Sequence, residues 1–184
     1  MADISQPPRR FVTGHTPTGS ATILYEGTVH QTKVKSFGFE GDEVVFSNLW
    51  QETQPSDNSS PIEDAALIPV ALARSDGASV CRVVDMPPHH VSPMHRTVSL
   101  DYGIVVAGDR MELELENVDG GPNTLRKLKV GDVVVQRGTS HAWHNRGETW
   151  GRMVFVLLTA EKVKINGREL ESVQADIKDG QLAD

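Results

Sequence analysis

Cysteine is nearly missing from this chain. Cys81 is the only one in 184 residues, so no intrachain disulfide can form and a reducing compartment is expected. Long apolar runs are missing too. The longest strongly apolar stretch, 153–158, is far short of the roughly 20 residues a membrane-spanning helix needs. The first eight residues, ending in Pro7-Pro8, lack the apolar region of a signal peptide, so a cytoplasmic home is expected. There is no basic excess: 18 Lys and Arg stand against 25 Asp and Glu, a formal charge of −7, which argues against a nucleic-acid partner. Helical periodicity is confined to the end of the chain, where Leu170, Val173 and Ile177 follow Gly167 at helical spacing and predict a short helix over 168–178. No internal repeat or low-complexity segment occurs. Hydrophobic content of 38% with 23% charged residues fits one ordinary soluble domain of this length.

What the chain does have is short apolar–polar alternation punctuated by Gly, Asp, Asn and Pro. Residues 1–10 read as a polar, flexible tail. β-type runs follow at 21–25, 31–37 and 43–50. In the last, Val44, Phe46 and Asn48 fall on one face, and Val45, Ser47 and Leu49 on the other. Residues 51–64 read as a surface loop and 65–72 as a short strand. Ser75-Asp76-Gly77 turns the chain into 79–86, where Val80, Val84 and Met86 share a face, and Pro87-Pro88 then breaks regular structure. A strand at 99–107 ends at Gly108-Asp109. Residues 111–116 alternate apolar side chains with Glu112, Glu114 and Glu116, which predicts a half-buried antiparallel strand with its glutamates toward water. Strands at 124–130, 133–136 and 151–160 complete the set. Many short strands with turns every ~8–12 residues predict an all-β sandwich or barrel, with the late helix packed outside it. The edges of such a fold invite pairing, so a homodimer is expected.

Five of the seven histidines lie between positions 89 and 144. Imidazole moves protons and ligates metals near neutral pH, so the segments 93–103 and 131–145 point to one shared site. His95 and Thr97 are two apart and share a strand face. Asp101 is six residues beyond His95, roughly 20 Å along a straight strand, and converges only if the chain bends near Val98-Ser99. His141 and Trp143 share the inward face of a later strand, with Thr139 and Arg137 behind them. His89-His90, between prolines, reads as a solvated loop pair or as a contact at the barrel mouth. His144, Tyr102 and Arg96 have the opposite parity and read as outward. Trp50 and Trp150 read as core or interface, and His15 and His30 show no partner pattern.

These segments carry a family resemblance. Pro93-x-His95-x-Thr97-x-x-x-Asp101, followed by Gly108, resembles the first cupin motif, His-x-His-x(3,4)-Glu-x(6)-Gly. Gly131-Asp132, Gly138, His141 and Asn145 resemble the second, Gly-x(5)-Pro-x-Gly-x(2)-His-x(3)-Asn. The segment 9–15 (Arg-Arg-Phe-Val-Thr-Gly-His), Asn48-Leu49-Trp50 and Asp57-Asn58-Ser59 further resemble small single-domain bacterial and fungal cupins, whose fungal members tend to occur with polyketide and other secondary-metabolite enzymes. The chain departs from the motifs at three points. Thr97 stands in place of the second histidine and Asp101 in place of the glutamate. The proline of the second motif is missing, and its turn, Gln136-Arg137-Gly138, is one residue shorter.

The resemblance implies a jelly-roll-like antiparallel β-barrel. Residues 1–10 would be a tail, 11–78 N-terminal strands completing the barrel or a dimer interface, 79–160 the cupin barrel, and 161–184 a short C-terminal helix and tail. It implies one small-molecule pocket, with His95, Asp101 and His141 as catalytic residues and Thr97, Arg137, Thr139 and Trp143 binding substrate. The leading expectation is an enzyme acting on a small aromatic or polyketide-like carbonyl or enol compound by acid–base chemistry: dehydration, decarboxylation or isomerisation. The first alternative is a metal-dependent oxygenase or oxidoreductase in which His95, Asp101 and His141 hold iron. The second is a non-catalytic binding protein. The cofactor reading stays open between one divalent metal (iron, zinc, manganese or nickel) and none.

Overall fold

The computed structural model describes residues 6–35, 43–58, 63–68 and 77–173. The alternation read from the sequence becomes a nearly all-β structure. The strands are β1 (Arg9–His15), β2 (Ala21–Thr28), β3 (Thr32–Lys35), β4 (Glu43–Thr53), β5 (Ala78–Met86), β6 (Ser99–Ala107), β7 (Met111–Leu115), β8 (Thr124–Leu128), β9 (Val133–Arg137), β10 (His141–Asn145), β11 (Gly151–Thr159), β12 (Lys164–Ile165) and β13 (Arg168–Glu169). A six-stranded sheet runs in the order β3-β4-β5-β11-β6-β9, and a three-stranded sheet in the order β10-β7-β8. Every pairing given for them is antiparallel. β1-β2 and β12-β13 are separate two-stranded hairpins.

Side-chain parity explains the core. β11 turns Met153, Phe155 and Leu157 inward, β5 turns Val80, Val84 and Met86, and β7 and β10 answer with Met111, Leu113 and Trp143. Met111 and Met153 are fully buried, each contributing about 1.5–3 kcal/mol of transfer free energy. Two of the motif glycines answer backbone demands. Gly108 has φ +117 and an added Cβ would sit 3.0 Å from the Met111 side chain, while Gly138 has φ +62 in the turn between β9 and β10.

Several expectations need correction. No helix occupies 168–173: Arg168–Glu169 is the return strand of a hairpin, and Val173 pairs with Arg96 by reciprocal backbone hydrogen bonds. The apolar spacing there serves strand pairing, not a helix face, and 174–178 lie outside the described residues. Ala65–Leu67 is one 3-10 turn capped by the Asp64 carboxylate rather than the start of a strand, and 69–72 lie outside the described residues. A bulge between Asn48 and Trp50 changes the parity of β4 late in the strand, so Val44 and Gln51 are both buried seven residues apart. Part of the predicted strand at 31–37 is β3, and residues 36–42 lie outside the described residues.

The glutamates of β7 do not all face water. Glu112 is only 8% exposed, because β10 lays His144 opposite it and Arg146, just past the strand, reaches its carboxylate. The His144 Nε2 stands 2.8 Å from the Glu114 carboxylate, and Arg146 Nε 3.6 Å from that of Glu112. His144 keeps the outward parity expected of it, yet this acidic pair covers it completely. The N-terminal hairpin lies along β4: the Arg10 guanidinium donates to the Leu49 carbonyl at 2.8 Å, pairs with Asp64, and stacks over Tyr25 and Trp50. Among the described residues no helix is long and apolar enough to cross a membrane.

Candidate functional site

Between the two sheets lies a cavity of about 100 Å³. Its walls are apolar, with Val44, Phe46, Val84, Phe155 and Leu157 on the large sheet and Trp143 opposite. His95, Thr97, Asp101 and His141 bring polar atoms into it, as the sequence led one to expect. They arrive by a different route from a single bent strand. Residues 91–98 cross β10 as an irregular segment tied by isolated bridges, Val91 to His144 and His95 to His141, whose backbones exchange two 2.9 Å hydrogen bonds. Ser92 Oγ also accepts the Trp143 amide at 2.9 Å. The segment is thereby held as firmly as a strand edge. Asp101 then enters from β6, opposite Leu157 of β11 on one side and Gln136 of β9 on the other.

The imidazoles of His95 and His141 are the closest pair in the site, with ring centroids 4.3 Å apart and planes tilted by 50°. His141 also meets Trp143 edge-on at 5.4 Å, and Trp143 meets Phe155 in the same way at 5.4 Å. Burial pushes both histidines toward the neutral form. His95 falls below the ordinary 6.5, and His141 falls to about 3, burial first and the neighbouring His95 second. Each ring is fixed through Nδ1: His95 against the Pro93 carbonyl at 2.8 Å, and His141 against the Gln136 side chain at 2.7 Å and the Thr139 carbonyl at 3.0 Å.

Asp101 is 5% exposed and its carboxyl is pushed up to about 6, because burial outweighs its hydrogen bonds to Ser99 and Thr97 and the attraction of Arg82. Oδ2 accepts from Thr97 Oγ1 at 3.5 Å, and Thr97 accepts from Ser99 Oγ at 2.8 Å. Oδ1 is buried without a hydrogen-bond partner among the described residues. Asp101 therefore does not orient either histidine; Pro93, Thr139 and Gln136 do so instead.

Two of the residues expected to bind substrate lie elsewhere. Arg137 and Thr139 are exposed and sit away from this cavity, in a separate hollow with Leu113, Leu115 and Val163. Counting back from His141 in steps of two carries strand parity across the Gly138 turn, where it does not hold. On β9 it is Gln136, opposite Asp101, that is buried: it is 3% exposed, borders that hollow and reaches His141 Nδ1 from behind the cavity wall. The His89-His90 pair also divides: His89 is exposed beside Glu148, whereas His90 is 3% exposed and lines the cavity.

Arg82 escaped the sequence reading. It is 2% exposed, lines the cavity on the inward face of β5, and stacks over Phe46 with its guanidinium carbon 5.1 Å from the ring centre. Burial lowers its pKa to about 10, which leaves it charged at neutral pH. A signal was present: Arg82 falls between Val80 and Val84 at the same parity, a charge on an otherwise apolar inward face.

A divalent metal would need three or more such side chains converging. Among the described residues no three His, Cys, Asp or Glu side chains are gathered closely enough to hold an ion. The carboxylate belongs to the Thr97–Ser99 pair, and Thr97 stands where the motif has a histidine. The residues present do not fit the family's ligand set.

No family model matches the chain. The phomopsin biosynthesis cluster protein D of Diaporthe leptostromiformis is 52% identical over 98 residues, 53% of this chain and 49% of that protein, so the chain spans about half the length of that relative. The cupin-domain-containing oxidoreductase fogC of Aspergillus ruber is 36% identical over 176 residues, covering 88% of this chain and 77% of that protein. The cupin-domain-containing oxidoreductase virC of Hypocrea virens is 32% identical over 167 residues, covering 85% and 78%. Among solved structures, the cupin domain of Schizosaccharomyces pombe Cnp3 superposes with a TM-score of 0.49 at 14% identity, over 82% of this chain and 87% of that one. With two relatives above 30% identity matched over more than two thirds of their length, and with both motifs meeting at one barrel cavity, the chain belongs to the cupin superfamily.

Proposed function

We propose that this cupin is an enzyme of secondary metabolism that transforms a small enolisable carbonyl compound by acid–base chemistry. One observation carries the reading: two neutral imidazoles 4.3 Å apart share an apolar cavity with a carboxyl whose pKa lies at about 6. Groups that titrate near or below neutrality in a dry pocket suit proton transfer. One imidazole takes the proton next to the carbonyl, and the electron pair moves onto oxygen as an enolate. The fixed charge of Arg82 favours that anion in the low-dielectric cavity. Asp101, in its acid form, hands a proton to a departing hydroxyl when the reaction is a dehydration. Trp143 and Phe46 offer flat apolar walls to an aromatic ring. The names of the cluster relatives support a place in secondary metabolism.

The test is solvent exchange. The protein is incubated in D₂O with a panel of small aromatic β-keto and β-hydroxy carbonyl compounds, and deuterium at the carbon next to the carbonyl is followed by NMR. Exchange above the buffer rate, lost in His95→Ala and His141→Ala and insensitive to chelators, is expected. No exchange with any compound would count against it.

The second reading is oxidoreductase chemistry, favoured by the names of the fogC and virC relatives. It would show as a product two hydrogens lighter than its substrate, formed only with an added electron acceptor. A second copy of the chain is the expected partner, and sedimentation would read the dimer directly.

A further inference from the structure

We propose that Gln136 sets the two pocket imidazoles in opposite tautomers, so that His141 carries its hydrogen on Nε2 while His95 presents a bare Nε2. Gln136 is then a positioning residue that divides the labour: His95 accepts the substrate proton, and His141 donates a hydrogen bond to the oxygen that becomes negative. This deepens the acid–base reading and rests on it for its chemical meaning, although the tautomers can be read without a substrate.

The orientation of the Gln136 amide is settled by its neighbours. Its Oε1 accepts from the Thr139 amide at 3.1 Å and from Thr139 Oγ1 at 2.7 Å, and its Nε2 donates to the Thr139 carbonyl at 2.9 Å. Turning the amide over would set –NH₂ against the backbone N–H and carbonyl oxygen against carbonyl oxygen. Both contacts would be repulsive, so the nitrogen faces His141. That nitrogen stands 2.7 Å from His141 Nδ1. An amide nitrogen donates and cannot accept, so the contact is a hydrogen bond only when Nδ1 is bare. The neutral ring must then hold its hydrogen on Nε2. The Thr139 carbonyl also lies 3.0 Å from Nδ1 and could accept a hydrogen there beside the one it receives from Gln136, but the closer Gln136 nitrogen at 2.7 Å decides against it. A hydrogen on Nδ1 would leave two N–H donors facing each other at 2.7 Å.

At His95 the outcome is the reverse. Its Nδ1 is 2.8 Å from the Pro93 carbonyl, which only accepts, so the hydrogen sits on Nδ1 and Nε2 is bare. No hydrogen bond to either Nε2 occurs among the described residues. An unpartnered donor and an unpartnered acceptor thus stand side by side on rings 4.3 Å apart. In the step proposed above, the C–H proton goes to His95 Nε2, its electron pair ends on the carbonyl oxygen, and the His141 Nε2–H bonds that oxygen without leaving the ring. The same amide disfavours a cation at His141, because a nitrogen bearing hydrogen cannot ligate.

The experiment is two-bond ¹H–¹⁵N NMR of the histidine side chains of the full chain at neutral pH, with Gln136→Glu as the second sample. In the wild type, His141 should show a bare Nδ1 and a protonated Nε2, and His95 the opposite. In Gln136→Glu the carboxylate accepts, so the His141 pattern should invert while that of His95 stays. A protonated Nδ1 on wild-type His141, or a folded Gln136→Glu whose His141 pattern is unchanged, would overturn the proposal. If the variant fails to fold, the wild-type spectrum alone decides. Tautomers as stated together with no proton exchange on any carbonyl compound would leave this inference standing and remove the functional one.

Discussion

Asp101→Asn should stabilise the protein at pH 8 and leave it nearly unchanged at pH 3.5. Asp101 is 5% exposed, and its carboxyl rises from 3.8 to about 6 because burial disfavours the charged form. A raised pKa means that the native state holds a proton the unfolded chain has released. Stability from this group is therefore complete below pH 3.8 and is lost as pH rises through about 6. At ~1.4 kcal/mol per pH unit, the ionised carboxylate costs the native state about 3 kcal/mol at pH 8. That figure already contains the attraction of Arg82, the smallest of the named causes. Asparagine keeps the shape and an oxygen for Thr97 but never ionises, so it removes the cost. The assay is urea unfolding of both proteins at half-unit steps from pH 3.5 to 8, read as the difference between them, so that the buried histidines cancel. The difference should grow across the window between 3.8 and 6 and then level off. A difference flat with pH, or an asparagine variant less stable at pH 8, would mean that Asp101 is comfortably ionised, and the proton-donor role would fall with it.

The histidines push the other way. The pKa of His141 is lowered to about 3, so the native state binds fewer protons than the unfolded chain, and this contribution is lost as pH falls from 6.5 toward 3. His141→Phe should flatten the acid limb of the unfolding profile, and an unaltered limb would show that the ring is hydrated. Trp143 lies 5.4 Å from both His141 and Phe155, so an aromatic enol bound in the cavity should quench part of the tryptophan fluorescence. Trp143→Phe should abolish that quenching with the fold intact, whereas Trp143→Ala should cost about 3–5 kcal/mol by urea unfolding. Quenching that survives in Trp143→Phe would place the ligand near Trp50 or Trp150.

The sequence by itself determined the central strands and the polar centre. Alternation at Val80, Val84 and Met86, at 99–107 and at 111–115 has a period of two, and a period of two leaves only one face to bury. The motif spacing brought His95, Thr97, Asp101, His141 and Trp143 to one cavity because both motifs start or end inward-facing strands. Parity cannot be carried through a turn or a bulge. That is why Arg137 and Thr139 are exposed and away from the cavity, while Gln136 is buried behind its wall against His141. The late apolar spacing at Leu170 and Val173 serves strand pairing instead of a helix face. Only the tertiary structure decided which groups hold the imidazoles. The carboxylate of Asp101 takes no part; the segment 91–98, the turn before β10 and Gln136 of β9 present backbone carbonyls and one amide. Burial decided the rest. The depressed histidines, the raised carboxyl and the charged Arg82 follow from two apolar sheets closing over polar groups, and no single segment of the chain carries that enclosure.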